Sequence, residues 1–132
     1  MRTTPYAENN EELREENCYH EAGHYVVAKN RGASGVHSTV APNGMGGSDY
    51  YSVSHLDDAV ALAAGSEAAN LLYFHADMGI TEGDASILPS VCRDAGITVE
   101  EARTKAREDV EMYTSEILQV ARHLDQHGSI GW

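Results

Sequence analysis

The sequence predicts a mainly α fold of the α+β class, with a small two-stranded β element. Three observations support this prediction. The chain has 132 residues, of which 42% are hydrophobic, enough for one domain with its own core. Apolar residues recur at helical spacing in most of the chain, and only the stretch 32–53 is rich in glycine and β-forming residues. We expect a single domain over residues 1–132, with residues 1–9 and 128–132 as loose tails.

The first predicted helix covers residues from about Asn10 to Asn30. Asn9 and Glu12 have the spacing of an N-cap and its third helical residue, and Gly32 follows the predicted end. The glycine-rich stretch then contains two short β-prone runs, which predict a hairpin or a pair of edge strands. These runs are Val36–Ala41 and Asp49–Val53.

An alanine- and leucine-rich segment from Leu56 to about Phe74 predicts the central buried helix, because its apolar stripe is broad. Ser54 and Asp57 precede it with N-cap spacing, and Gly79 interrupts the chain after it. Two more cap pairs predict the remaining helices, a short one to about Ala95 that Gly96 ends, and a long one over roughly residues 99–127. The cap pairs are Thr81 with Asp84 and Thr98 with Glu101.

The composition limits which classes of partner and which cellular location we expect. A formal net charge of -12 argues against nucleic acid or an anionic membrane as a direct partner, and it is compatible with a cationic peptide substrate. No apolar run reaches the length needed to insert in a bilayer, and no export signal is visible, so we expect a cytoplasmic protein. Cys18 and Cys92 are the two cysteines, and reduced thiols fit that compartment.

The segment CYHEAGHYVVA, residues 18–28, contains the motif H-E-x-x-H inside a predicted helix. A spacing of four residues places His20 and His24 on one helix face, where both imidazoles can bind one Zn²⁺. Glu21 then lies beside the metal and can act as general base toward a water molecule. The alternative is an ordinary helix that contains two histidines. Gly23 in that helix indicates a close approach by a metal, a substrate or another backbone.

A catalytic zinc site needs a third protein ligand. Five residues between the motif and the last helix are candidates, and spacing does not choose between the two strongest, Asp84 and Glu67. Asp84 also has the position of a capping carboxylate at a helix N-terminus. The candidates are Asp84, Glu67, Asp77, His55 and His75.

Four segments, in order, resemble the FtsH-type zinc metallopeptidases, the peptidase domains of membrane-bound AAA proteases. HEAGHYVVA resembles the family's HEAGHAxxA helix, and VHSTVAPNG resembles its strand before a proline. LAAGSEAANLLYF resembles its L-x-G-G-R-A-A-E helix, and GITEGDASIL falls where the family has T-x-G-A-x-x-D. Together the resemblance covers about residues 13–125.

The resemblance implies a zincin-like helical peptidase domain that hydrolyses peptide bonds with Zn²⁺. It assigns His20, His24 and Asp84 as zinc ligands and Glu21 as the catalytic glutamate, which favours Asp84 over Glu67. It also implies that the strand Val36–Ala41 pairs with an extended peptide or unfolded protein substrate.

The chain departs from the family at several points. The segment Met78–Thr81 replaces T-x-G-A, and Glu67 and Asn70 stand where the family has arginine and glutamate. The chain contains no P-loop motif for ATP. We therefore expect a stand-alone peptidase that acts on flexible peptides or uses an ATPase or unfoldase in trans, with an undetermined oligomeric state. The alternatives are a zinc-binding but catalytically silent interaction module and a regulatory peptidase that cleaves one repressor.

Overall fold

The computed structural model describes residues 9–132 and confirms a mainly helical α+β fold, with a small antiparallel sheet. The helices are α1 (Asn10–Asn30), α2 (His55–Ala69), α3 (Glu82–Ala95), α4 (Val99–Met112) and α5 (Thr114–His127). The strands are β1 (Ser34–Val40), β2 (Gly46–Tyr51) and β3 (Ser129–Gly131). A π-helical turn, Asn70–Phe74, continues α2. The predicted tail 1–9 lies outside the described residues except for Asn9.

Three of the four predicted N-caps form. The side chain of Asn9 accepts a hydrogen bond from Glu12 N at 2.9 Å, and Thr98 and Glu101 form a reciprocal capping box. Ser54 Oγ accepts from the backbone N–H of the residue three positions later at 3.1 Å. Thr81 precedes α3 in an extended conformation but makes no side-chain cap bond. Its cap partner in the prediction, Asp84, is therefore available for other contacts.

The predicted long helix over residues 99–127 is wrong in one respect, because it is broken between α4 and α5. Tyr113 leaves helical geometry at φ −106° and ψ 22°. The hydroxyl of Thr114 donates 2.8 Å to Val110 O and lies 3.1 Å from Glu111 O. A side-chain donor thus satisfies carbonyls at the end of α4, and the helix restarts.

The sheet has three strands rather than the predicted two, in the order β2-β1-β3. The expectation of a loose tail at 128–132 is wrong, because β3 pairs with β1 from His37 to Thr39. Trp132 N also donates to Val36 O at 2.8 Å. Strand β1 is therefore central, which contradicts the expectation that Val36–Ala41 forms a free edge for a substrate. In residues 9–132, β2 pairs with β1 alone and has a free edge.

Small residues let α1 and α2 cross at very short range. A side chain at Gly23 would lie 2.5 Å from Ala64 O and 2.6 Å from Ala68 Cβ. The close approach indicated by this glycine is thus another helix backbone. Alanines fill the buried face of α2, which is the central helix that the sequence predicts. The crossing brings the histidine face of α1 against α2.

Cys18 and Cys92 are both free and buried. Burial raises the pKa of the Cys18 thiol to about 11, so it stays protonated at neutral pH. Among residues 9–132, no helix combines the length and apolar character required to cross a bilayer.

Candidate metal centre

Two imidazoles from α1 and one carboxylate from α3 converge at the base of a cleft. Nε2 of His20 lies 3.0 Å from Nε2 of His24, and Oδ2 of Asp84 lies 3.0 Å and 3.2 Å from these two nitrogens. Within residues 9–132, this is the one group of at least three ligand-type side chains close enough to hold a metal ion. All three side chains are largely buried.

Helix α2 orients the histidines from the opposite side. Nδ1 of His24 lies 2.8 Å from the carbonyl oxygen of Ala61, so this nitrogen carries the proton and donates it. In neutral His24, Nε2 then presents a lone pair to the centre of the cluster. A Cβ atom at Gly65 would lie 2.4 Å from Nε2 of His24 and 2.8 Å from Nε2 of His20. Glycine is therefore the residue that leaves room for both rings.

The donor atoms fit a small cation. A tetrahedral ion with bonds of about 2.0–2.1 Å separates its ligand atoms by about 3.3 Å, close to the three distances observed. Oδ2 of Asp84 is buried and has no hydrogen-bond donor in the described chain other than these imidazoles. Three acceptor atoms that face one another without an intervening cation repel, so the arrangement favours a metal ion or an added proton.

Protonation can satisfy the cluster when no metal is bound. Burial by itself lowers the pKa of His24, but the hydrogen bond and charge of Asp84 outweigh it and raise this pKa to about 9. Burial raises the pKa of Asp84, but the two imidazoles hold it well below its ordinary range. Asp84 is therefore ionised at neutral pH, and a metal ion that binds here would displace a proton from His24.

Glu21 is buried beside the cluster but is not part of it. Its side chain is within the same cleft, and Ser48 on β2 donates a hydrogen bond to its Oε1 at 2.7 Å. The hydroxyl of Ser48 also lies 2.5 Å from that of Ser38 on β1. A side chain at Gly46 would lie 2.9 Å from the Glu21 carboxylate. The sheet thus fixes this carboxylate through one hydroxyl and one glycine.

A cleft of about 410 Å³ opens onto the cluster between α1, β2 and α3. Strand β2 forms one wall, and the N-terminal half of α3 forms the other. Two of its lining residues are large exposed hydrophobic side chains, Met45 and Ile87. The lining contains carboxylates but no lysine or arginine.

The other four candidates for the third ligand lie elsewhere. Glu67 is buried against Arg103 at 2.6 Å, and Asp77 accepts from the same arginine at 2.6 Å. His55 begins α2 close to Asp58, and His75 ends the π-helical turn with φ 55°. None of the four joins the cluster.

Ser48 and Gly65 contact the site residues but are not among the residues that the sequence predicts for the site. Ser48 carries no local signal, because its contact with Glu21 depends on how β2 folds back over α1. Gly65 did carry one: a glycine inside a predicted helix indicates a close approach, as at Gly23. In this case the approaching groups are the two imidazoles.

No protein-family model matches this chain, and no curated protein matches its sequence significantly.

Proposed function

We propose that the protein is a zinc metalloendopeptidase, with His20, His24 and Asp84 as zinc ligands and Glu21 as general base. The position of Glu21 carries the proposal. Its carboxylate lies in the cleft that exposes the ligand cluster, yet outside the cluster. A site that only binds metal for stability does not need a buried carboxylate at this place, whereas hydrolysis needs a base near the reacting water.

The donor set of two histidines and one carboxylate suits catalytic zinc, because it leaves a fourth position for another ligand. A bound zinc ion supplies Lewis acidity, which lowers the pKa of water and polarises a peptide carbonyl. Two histidines and one carboxylate also occur at non-haem Fe(II) centres. The base beside the cluster favours hydrolysis and therefore zinc.

The chain's own residues supply the proton transfers. Glu21 takes the proton of the attacking water and delivers it to the leaving nitrogen of the cleaved peptide bond. Ser48 donates to one carboxylate oxygen of Glu21 and so leaves the other oxygen to handle the proton. Burial keeps competing bulk water away from Glu21, which is 5% exposed.

The substrate is a flexible peptide or unfolded protein that binds in extended conformation. The free edge of β2 runs along the cleft and offers unpaired backbone groups to a peptide strand. Gly47 leaves space above this strand, since no atom lies within 4 Å of the position that its Cβ would occupy. Folded substrates would need an unfoldase. A cytoplasmic location fits the two free thiols.

The test combines metal analysis with casein hydrolysis. We expect about one zinc per chain, and casein cleavage that Glu21→Gln abolishes while it keeps its zinc. Glu108→Gln, an exposed residue on α4, is the matched control and should cleave normally. Zinc without activity in the wild type would indicate the silent binding module. Iron in place of zinc, or no metal in a folded protein, would overturn the proposal.

A further inference from the structure

We propose that Arg103 on α4 is a positioning residue for the metal centre, because it fixes the loop that delivers Asp84. The inference rests on the proposed metal site. Arg103 touches none of the three ligands. Its guanidinium bridges two carboxylates, with Nε donating 2.6 Å to Oε1 of Glu67 and Nη2 donating 2.6 Å to Oδ1 of Asp77.

The two carboxylates of this bridge differ in rigidity. Glu67 lies in the last turn of central helix α2, and its side chain is 3% exposed. Asp77 lies in the loop 75–81, and its side chain is 60% exposed. Arg103 therefore ties an exposed loop to the most buried helix of the molecule. A loop carboxylate of this exposure has little packing of its own to hold it.

Further hydrogen bonds extend the bridge along the loop. Oδ1 of Asp77 also accepts from Gly79 N at 2.9 Å, and Asn70 Nδ2 donates to Gly79 O at 3.0 Å. Thr81 N then donates to Ser66 Oγ at 3.0 Å, immediately before α3 begins. The loop is thus attached to α2 and to the π-helical turn that continues it, from Asp77 to Thr81.

Asp84 lies within the first turn of α3, directly beyond the attached loop. Its carboxylate must reach two imidazoles that α2 also orients, through Ala61 and Gly65. The position of the third ligand relative to the other two therefore depends on how firmly the loop is tied to α2. Partners outside the ligand set commonly change metal affinity by about 10–100-fold.

The chain offers a matched control in Arg31. This arginine also bridges two carboxylates, Asp57 at the start of α2 and Asp109 on α4, with distances of 2.9 Å and 2.6 Å. Its exposure, 23%, is close to the 21% of Arg103. Arg31 has no link to the loop 75–81 in the described contacts. Replacing Arg31 therefore removes a similar ion-pair bridge but leaves the contacts of the loop before Asp84 unchanged.

The experiment measures zinc affinity by competition with a chromophoric chelator, and the visible absorption of the cobalt-substituted protein. We expect Arg103→Ala to weaken zinc binding by about 10–100-fold and to alter the cobalt spectrum. We expect Arg31→Ala to lower the melting temperature but to change zinc affinity by less than about twofold. Asp77→Ala removes the loop end of the bridge and leaves the Arg103–Glu67 pair, so it tests the proposal if Arg103→Ala fails to fold.

Equal zinc affinity in Asp77→Ala, Arg31→Ala and wild type would overturn the positioning role. Amide hydrogen exchange at Thr81 and Ala85 gives a readout that needs no metal. Faster exchange there in the Arg103 and Asp77 variants, but not in Arg31→Ala, supports the fixing of the loop by Arg103 even if the wild type binds no metal and the proposed function fails. Unchanged exchange overturns it.

Discussion

Nε2 of His20 and Oδ2 of Asp84 lie 3.0 Å apart, although one belongs to α1 and the other to α3. Helix α2 packs against both of these helices and sets the distance. The histidine rings occupy the space beside Gly65 where a side chain would lie. The loop before α3 is hydrogen-bonded to Ser66 and Asn70. The candidate metal centre is therefore a property of tertiary packing around α2 rather than of the H-E-x-x-H helix alone.

Replacing Asp84 should remove the third ligand without unfolding the protein. Loss of a residue that only supports a metal ligand commonly weakens metal binding by about 10–100-fold. We expect Asp84→Ala, which removes a ligand itself, to weaken zinc binding by more than this. Asp94→Ala is the control, because Asp94 is an exposed residue at the other end of the same helix. Competition titration measures both variants. Zinc affinity that is unchanged in Asp84→Ala would show that the ligand set is wrong.

A methyl group at position 65 should close the candidate metal centre. In Gly65→Ala the new Cβ would lie 2.4 Å from Nε2 of His24, far inside contact distance, so one ring must move. We expect loss of stoichiometric zinc binding, although alanine favours a helix by about 1 kcal/mol over glycine. Gly83→Ala is the matched variant, because nothing lies within 4 Å of its Cβ position. Normal zinc content in Gly65→Ala would contradict the assigned position of the rings.

Loss of the Ser48 hydroxyl should slow peptide hydrolysis and spare metal binding. Its hydrogen bond to Oε1 of Glu21 holds the proposed general base in place, and a hydrogen bond to a charged group is worth about 1.5–3 kcal/mol. We expect Ser48→Ala to lower kcat by about tenfold or more, with KM and zinc content close to wild type. Ser34→Ala, an exposed serine on β1, is the control. A rise in KM with unchanged kcat would place Ser48 in substrate binding instead.

The ion pair between Lys29 and Glu116 should make stability depend on acid pH. Burial raises the pKa of Glu116, but hydrogen bonds from Lys29 and Asn30 outweigh it and hold the pKa below its ordinary value of 4.5. The folded state therefore binds fewer protons than the unfolded state in this range, and the stabilisation is lost as pH falls through the folded-state pKa. The pair is present in full above about pH 5.

Denaturant unfolding of wild type and Glu116→Gln checks this pH dependence. We expect Glu116→Gln to cost about 0.2–1 kcal/mol at pH 7, as for a partly exposed pair, and the difference to shrink toward zero in acid. A difference that stays constant from pH 7 to pH 3 would mean that Glu116 acts by packing or neutral hydrogen bonding. Glu108→Gln serves as the reference for a solvent-exposed carboxylate.

Local chemistry made most helix boundaries predictable. Asn9, Ser54 and Thr98 act as N-caps, and Gly96 adopts φ +74° at the end of α3, as their residue types indicate. The break at Tyr113 was not predictable, because apolar residues keep helical spacing across it. Strand β3 was not predictable either, since three residues with no strand pattern pair with a strand from the other end of the domain.

In the candidate site too, local spacing was predictable from the sequence and long-range contacts were not. A spacing of four placed His20 and His24 together, and the structure brings their Nε2 atoms to 3.0 Å. The sequence spacing alone left Asp84 and Glu67 as equal choices for the third position. The structure separates them, because Glu67 pairs with Arg103 from a distant helix. Such long-range pairing is invisible to periodicity.

The π-helical turn at Asn70–Phe74 has a consequence for how the length of this chain can vary. A π turn accommodates about one residue more than an α turn, and it lies after Ala61, Gly65 and Ser66. Insertion of one residue between Ala61 and Gly65 would rotate Gly65 and Ser66 by about 100° relative to Ala61, so the contacts with the histidines and with Thr81 could not all form. Insertions after Asn70 leave them in register. Among related chains, we therefore expect length differences to concentrate between residues 71 and 76, before the attached part of the loop, and α2 to keep its length.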